Sequence, residues 1–129
     1  MLSRDRRAAE ARGRRAEFWA ALWLSLKGYR ILVQRAKTPM GELDLVARKG
    51  EILAIIEVKA RATLEAGLAS ISWHQQQRLV RGAASFVGRK PELSGLFIRY
   101  DLMIMRPWRL PHHERQFFIA EGRDVMDIN

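Results

Sequence analysis

Cysteine is absent from the 129 residues, and this absence excludes disulfide bonds, thiolate metal sites and a cysteine nucleophile. Any metal ion would have to bind carboxylates, carbonyl groups, water or the three histidines. A chain without disulfides is compatible with a reducing compartment, so we expect a cytoplasmic protein.

Long hydrophobic runs are absent as well. The most apolar stretch near the N-terminus, FWAALWLSL, has nine residues, which is too short to span a bilayer. Asp5, Glu10 and Glu17 lie before or next to it, and acidic residues there suit neither a signal peptide nor a transit peptide. The segment is therefore predicted to be an amphipathic helix of a soluble protein, with no membrane as partner.

Acidic residues are scarce relative to basic ones. The chain has 14 Asp and Glu against 23 Lys and Arg, a formal charge of +9 and a pI near 11. Such an excess favours polyanionic partners, above all DNA or RNA. An arginine-rich composition with an otherwise ordinary surface is the alternative explanation.

Hydrophobic periodicity predicts one α/β domain over residues 1–129, with a basic N-terminal helix in 1–27 and a core over about 13–120. The predicted order is α-β-β-β-α-β-β, which implies a mixed sheet of about five strands flanked by helices. The predicted helices are 3–27 and 73–87, and the predicted strands are 29–35, 42–47, 51–61, 96–105 and 115–120.

The third predicted strand, EILAIIEVKAR, begins as a buried strand and ends with polar residues on one face. Its even-numbered residues from Ile52 to Ala60 are all apolar, whereas Glu57, Lys59 and Arg61 complete the other face. Clustered, partly buried carboxylates repel each other unless a cation joins them. This pattern indicates a site for a hard cation such as Mg²⁺, which prefers oxygen ligands.

The preceding strand supplies a second carboxylate. If Lys49 and Gly50 form a two-residue turn, Asp44 and Glu57 are diagonal neighbours on one face, about 7–8 Å apart at the backbone. A turn of odd length would place Asp44 on the opposite face. Alternatively, Glu57 and Lys59 pair with strand neighbours, and Asp44 pairs with an arginine.

GELDLVA followed by IIEVKAR resembles the PD-(D/E)xK nuclease superfamily, and within it the bacterial YraN-like family, which is similar to archaeal Holliday-junction resolvases. Further matching segments are GRRAE, Gly28-Tyr29, ISWHQQQRLVRGAASF and IRYDLMIM, so the resemblance covers about residues 13–120. It implies a restriction-endonuclease-like αβββαβ core.

The resemblance also implies site residues. Asp44 and Glu57 would bind Mg²⁺ or Mn²⁺ with help from the Val58 carbonyl, and Lys59 would be the catalytic lysine. Glu17 would be an accessory acid, or else a helix glutamate that pairs with an arginine. Gln75 takes the place of a lysine usual in relatives and would contact water or phosphate, although Ser72-x-x-Gln75 is also a capping-box pattern. An asparagine is expected near Arg35.

The implied function is metal-dependent hydrolysis of DNA by an endonuclease, with branched or structured DNA as a suitable substrate and a homodimer as a compatible state. Five arginines would contact the nucleic acid backbone: Arg12, Arg14, Arg15, Arg78 and Arg81. The alternatives are a nucleic-acid-binding protein of the same fold without efficient catalysis, and an adaptor or structural domain whose basic surface contacts a protein or a membrane.

Five further positions lie outside this pattern. Trp73 and Trp108 are both candidates for stacking on bases, but the apolar helical stripe that contains Trp73 favours a core position for it. His112 and His113 are predicted to be surface residues of a proline-flanked loop. Asp101 is predicted to lie on a strand in a structural role.

Overall fold

The computed structural model describes residues 2–120, so both predicted domain limits, 1 and 129, lie outside the described residues. The helices are α1 (Leu2–Leu26), α2 (Leu64–Leu68) and α3 (Trp73–Gly88), and a 3₁₀ turn covers Pro91–Leu93. The strands are β1 (Arg30–Thr38), β2 (Gly41–Lys49), β3 (Ile52–Ala60), β4 (Phe97–Met105) and β5 (His112–Glu114).

The five strands form one mixed sheet in the order β1-β2-β3-β4-β5. β3 and β4 are parallel and are joined by the crossover that contains α2 and α3, whereas every other neighbouring pair is antiparallel. This architecture confirms the predicted mixed α/β fold and is consistent with a restriction-endonuclease-like core. The prediction did not include α2, because five residues capped by Thr63 are too few to show helical periodicity.

Two hydrophobic clusters hold the helices on opposite faces of the sheet. On one face, Ala20, Ala21 and Leu24 of α1 pack against strand residues that include Leu45 and Ile56. On the other face, apolar residues of α3 pack against strand residues such as Val46 and Ile55; the α3 residues are Leu79, Val80, Ala83 and Phe86. The central strands are therefore buried on both faces, as their composition predicts.

Local sequence signals set the ends of the helices as predicted. Gly28 follows α1 with a φ of +92°, a conformation that glycine adopts at little cost. Ser72 caps α3 by accepting a hydrogen bond from the Gln75 amide, and the Gln75 side chain accepts one from the Ser72 amide in return. Within residues 2–120, no helix is both long enough and apolar enough to cross a membrane.

The fifth strand lies at 112–114, so its predicted position at 115–120 is wrong. Gln116 has a φ of +50°, which ends the extended conformation. Its amide donates to Asp101, and the amide of Phe117 donates to the Tyr100 carbonyl. Phe117 and Phe118 then pack on the α3-side cluster, so their hydrophobicity reflects burial beside the sheet instead of a strand within it.

Candidate metal centre

The β2–β3 hairpin has a two-residue loop made by Gly50 and Glu51, since Lys49 pairs with Ile52. The predicted loop at Lys49-Gly50 is wrong by one residue, because Gly50, with a φ of +60°, takes the first position of the loop, where one class of two-residue hairpin turns requires glycine. The loop length is nevertheless even. Continuing the observed register places Asp44 directly opposite Glu57, where the prediction placed them diagonally.

Backbone pairing between β2 and β3 stops just before these two residues, at Leu45 and Ile56. Beyond that point, the Val58 amide donates to Asp44 Oδ2 at 2.9 Å. The side-chain alternation of β2 also changes here, because Leu43 packs on the α3 side and Leu45 on the α1 side. Asp44 therefore lies where β2 and β3 separate. Its carboxylate, instead of a backbone carbonyl, accepts the hydrogen bond from the Val58 amide.

The carboxyl groups of Asp44 and Glu57 interact directly. Burial, the charge of Glu57 and a hydrogen bond to Glu57 raise the pKa of Asp44 to about 8 from 3.8. The Val58 amide and Lys59 act in the opposite direction but are outweighed. Two acids this close cannot both ionise freely without a cation, so the pair holds a proton in the absence of one.

Lys59 and Glu17 border the pair from two sides. Lys59 Nζ lies 3.6 Å from Glu57 Oε2, and both side chains are mostly buried. Glu17 accepts a hydrogen bond from Arg35 Nε at 2.7 Å. Burial raises the pKa of Glu17, the hydrogen bond from Arg35 lowers it, and the charge of Asp44 raises it further. Glu17 is thus a mostly buried acid that is paired with an arginine and is close enough to Asp44 to influence its charge.

Arg35 holds Glu17 from an unusual backbone conformation. It lies across from Asp44 in the β1–β2 register and has a φ of +56°. Asparagine adopts this conformation more readily than arginine, which gives a physical reason for the asparagine that the family resemblance leads us to expect here. Arginine adds a positive charge here and pairs it with Glu17.

The donor set at this point suits a hard divalent cation. Such ions need only one or two carboxylates, because water and substrate oxygens complete their coordination. Asp44 and Glu57 satisfy that requirement, and the raised pKa of Asp44 is what a buried carboxyl next to a second acid produces. No larger group of His, Asp or Glu with metal-binding geometry occurs in the described part of the chain.

A model of the protein family described as "Uncharacterised protein family UPF0102" matches residues 16–105, a segment that includes the whole β2–β3 hairpin. The chain belongs to the UPF0102 family. This result confirms the resemblance to YraN-like proteins at the level of the family.

Curated UPF0102 proteins match nearly the whole chain. A protein of Maricaulis maris is 49% identical over 127 residues, which are 97% of this chain and 100% of the relative. One of Paramagnetospirillum magneticum is 49% identical over 115 residues, with 86% and 89% covered. One of Bartonella bacilliformis is 44% identical over 118 residues, with 92% and 97% covered.

The remaining predicted residues of this UPF0102 protein lie around the hairpin. Gln75 uses its side-chain oxygen in the capping box of α3, and its predicted contact with water or phosphate stays a prediction. Arg78 lies across Gly41, where an added Cβ would come within 2.8 Å of its Cδ, so it extends beside the start of β2. The other four predicted arginines are exposed: Arg12, Arg14 and Arg15 on α1, and Arg81 on α3.

The prediction missed a buried polar network in this UPF0102 protein. Asp101 is fully buried, as its predicted structural role requires, and accepts two hydrogen bonds from Arg99. His113 is also buried, with 2% of its side chain exposed, and contacts both Asp101 and Lys27. The predicted surface position is therefore wrong for His113. His112 and Glu114 pair with each other on the opposite side of β5 from His113, but a strand of three residues is too short for this alternation to be recognised in the sequence.

Trp73 is another correction. Its side chain is 60% exposed and lies edge-on to His74, so the predicted core position is wrong. Trp73 occupies the first turn of α3, where the helix has not yet reached the sheet. The buried stripe starts at Leu79.

The pH dependence of the stability of this UPF0102 protein is expected to show that Asp44 and Glu57 share a proton. The folded-state pKa of Asp44 lies above its unfolded value, so its contribution to stability is complete below pH 3.8 and is lost as pH rises through about 8. Asp44→Asn should therefore raise the melting temperature in EDTA at pH 9 by about 3–5 °C, the equivalent of about 1 kcal/mol. At pH 4 the gain should vanish. Differential scanning calorimetry measures the melting temperature at both pH values, with Glu51→Gln in the exposed loop as control. A gain that did not depend on pH would contradict this prediction.

Proposed function

We propose that this protein is a metal-dependent endonuclease of the PD-(D/E)xK superfamily that hydrolyses phosphodiester bonds in DNA. The observation that carries the proposal is the carboxyl pair of Asp44 and Glu57 beside Lys59 in the gap between β2 and β3. Structural ion pairs join opposite charges, whereas this site places two acids in contact. Two acids in contact destabilise the fold when no cation is bound. A role in binding a cation would explain why the fold contains this pair.

Asp44 and Glu57 would hold Mg²⁺ or Mn²⁺, with the Val58 carbonyl as a third ligand. The bound ion would act as a Lewis acid and would neutralise the negative charge that develops on the phosphate. The Val58 amide fixes the orientation of the Asp44 carboxylate through its hydrogen bond. Arg35 keeps Glu17 near the pair, where it would orient water as an accessory acid.

Lys59 would act on the attacking water or on a phosphate oxygen. Its Nζ lies beside Glu57, and its side chain is only 17% exposed, so little solvent screens its charge. Gln75 would contribute a neutral contact to water or phosphate through the amide NH₂, since its oxygen is used in the cap.

DNA would approach along the basic surfaces of α1 and α3. The exposed side chains of Arg12, Arg14 and Arg15 would contact one part of the backbone, and Arg78 and Arg81 another. Arg78 passes Gly41, three residues before Asp44, so a phosphate that it binds would lie near the carboxyl pair. Backbone contacts favour recognition of DNA shape, as in branched substrates, and cutting of both strands would suit a homodimer.

A nucleic-acid-binding protein without efficient catalysis is the second candidate. Two observations favour it: the position usually held by lysine is occupied by Gln75, whose oxygen caps α3, and Arg35 neutralises Glu17. Both features weaken the chemistry around the cation and leave the basic surfaces intact.

Adding and removing metal separates the two candidates. Junction, flap and linear DNA substrates are incubated with the protein in Mg²⁺, in Mn²⁺ and in EDTA, and products are resolved on denaturing gels. The endonuclease is expected to cut in Mg²⁺ or Mn²⁺ and to stop in EDTA. Isothermal titration calorimetry without DNA should also show Mn²⁺ binding with proton release, because the shared proton must leave.

The opposing result is equally clear. DNA binding at low salt without cutting in either metal, combined with no heat of Mn²⁺ binding, would reject the endonuclease and favour the second candidate.

A further inference from the structure

A groove of about 710 Å³ lies between α1 and the segment that follows β4. Its walls include the aromatic and aliphatic side chains of Trp19, Leu22, Trp23 and Leu26 on α1, with Leu110 opposite. Trp19 is 55% exposed and Leu26 74% exposed, so the apolar surface of α1 continues beyond what the sheet covers. Large exposed apolar patches on soluble proteins often mark binding sites.

The rim of the groove is strongly basic. Five arginines line it, and none of the described lining residues is Asp or Glu; the arginines are Arg12, Arg15, Arg61, Arg106 and Arg109. None of the five forms an ion pair with a carboxylate within residues 2–120. Arg106 Nε is also buried without a hydrogen-bond partner among these residues. A ligand that fits this groove would carry negative charge opposite the arginines and flat apolar groups opposite the aromatic side chains.

A fully exposed tryptophan stands at the edge of the groove. Trp108 lies between the lining residues Pro107 and Arg109, is 103% exposed and has a φ of +58°. A bulky residue in this conformation costs free energy, and the described residues provide no packing that offsets the cost. The loop therefore holds an aromatic face in solvent, where a base could stack on it.

The groove also adjoins the candidate metal centre. β3 contains Glu57 and Lys59 and ends at Ala60, and Ala60 and the following residue, Arg61, line the groove. On α1, Ala16 precedes Glu17 and Trp19 follows it by two residues, and both line the groove as well. A strand that leaves the metal centre along the end of β3 would enter the groove directly.

We propose that this groove binds an unpaired nucleic acid strand, with its bases stacked on Trp19, Trp23 and Trp108 and its phosphates on the five arginines. A duplex presents phosphates but hides the faces of its bases, so it would use the arginines and leave the tryptophans without partners. The inference deepens the proposed function, on which it rests, by giving the substrate a single-stranded arm next to the cleavage site. Binding in the groove does not itself require the metal.

The test measures fluorescence anisotropy of a labelled oligothymidine and of a hairpin duplex of equal charge, both in EDTA so that no cleavage occurs. Trp19→Ala is expected to weaken binding of the single strand about tenfold or more and to leave duplex binding unchanged. Trp73→Ala is the matched control, because Trp73 is also exposed but lies on α3. The double variant Arg61→Gln/Arg106→Gln should lower the slope of log K against log salt by about 0.7 for each lost phosphate contact.

Equal effects of Trp19→Ala and Trp73→Ala on the single strand would overturn the inference, provided that circular dichroism shows both variants folded. So would a Trp19→Ala variant that changes from dimer to monomer in sedimentation without losing affinity for the strand, since the groove would then join two copies of the chain. If the protein never cuts DNA but Trp19→Ala alone loses the single strand, the groove inference stands while the endonuclease fails. Metal-dependent cutting without any effect of Trp19→Ala on strand binding would support the endonuclease and overturn the groove inference.

Discussion

If the protein is the metal-dependent endonuclease proposed above, Asp44→Asn is expected to lower its rate of DNA cleavage about a thousandfold or more. Metal stabilisation of a phosphoryl transition state amounts to several kcal/mol, and about 4 kcal/mol corresponds to a factor of ~10³ in rate. Asparagine keeps the shape of Asp44 and an oxygen for the Val58 amide, so the loss would come from the missing charge. Affinity for DNA in EDTA should stay within about twofold, since the arginines are unchanged.

Single-turnover cleavage of a junction substrate at saturating protein measures the first quantity, and anisotropy in EDTA measures the second. Glu51→Gln is the matched control because it removes an exposed carboxylate from the loop of the same hairpin. A cleavage rate within tenfold of the original chain, with DNA affinity intact, would show that Asp44 does not hold the metal.

Asp101→Ala is expected to lower the free energy of unfolding by about 3–5 kcal/mol. The substitution leaves Arg99 in a nearly buried position without its carboxylate, and an unpaired buried charge is among the most destabilising changes known. His113 and the Gln116 amide lose the same acceptor. Because domains are stable by only about 5–15 kcal/mol, much of the population should unfold near physiological temperature.

Urea unfolding followed by circular dichroism measures this loss. The double variant Arg99→Met/Asp101→Leu is the informative control, because removing both charges should recover much of the stability that the single substitution loses. A loss below about 1 kcal/mol for Asp101→Ala would mean that water reaches Arg99 and satisfies it.

Acid should weaken the same network. Burial alone would raise the pKa of Asp101, but hydrogen bonds from His113, Arg99 and the Gln116 amide outweigh burial and lower it. The contribution of Asp101 to stability is therefore present above its unfolded pKa of 3.8 and is lost as pH falls through its folded value. Asp44 has the opposite dependence, because its contribution begins to fall as pH rises above 3.8, so the two contributions together are largest near pH 3.8 in the metal-free protein.

The main features of the fold follow from sequence because its strong signals are local. Alternation in β2 and β3, the cap at Ser72 and the glycines after α1 and β2 each act within a few residues. The even hairpin loop was predictable for the same reason, and it decides that Asp44 and Glu57 share a face. Its shift from Lys49-Gly50 to Gly50-Glu51 could not be predicted, because both pairs contain Gly50 and both give an even loop.

Features that depend on distant contacts could not be predicted. His113 is buried because β5 pairs with β4 and brings the ring to Asp101, which lies 12 residues earlier in the chain, and no local pattern indicates that pairing. Trp73 lies on the apolar stripe of α3, but it belongs to the first turn of that helix, which does not reach the sheet. The strand at 112–114 is too short to show a period, and the aromatic residues that follow it are buried outside the sheet.

The order of the strands in the sheet, which is the order in the chain, also bears on how the protein folds. β1, β2 and β3 are joined by tight loops, whereas the parallel partners β3 and β4 are separated by residues 61–96. Closing a long loop costs more conformational entropy and delays pairing, so the three-stranded meander is the fast-forming part of the sheet. Asp44 and Glu57 belong to that part, whereas the network around Asp101 is completed only when the slow parallel pairing closes.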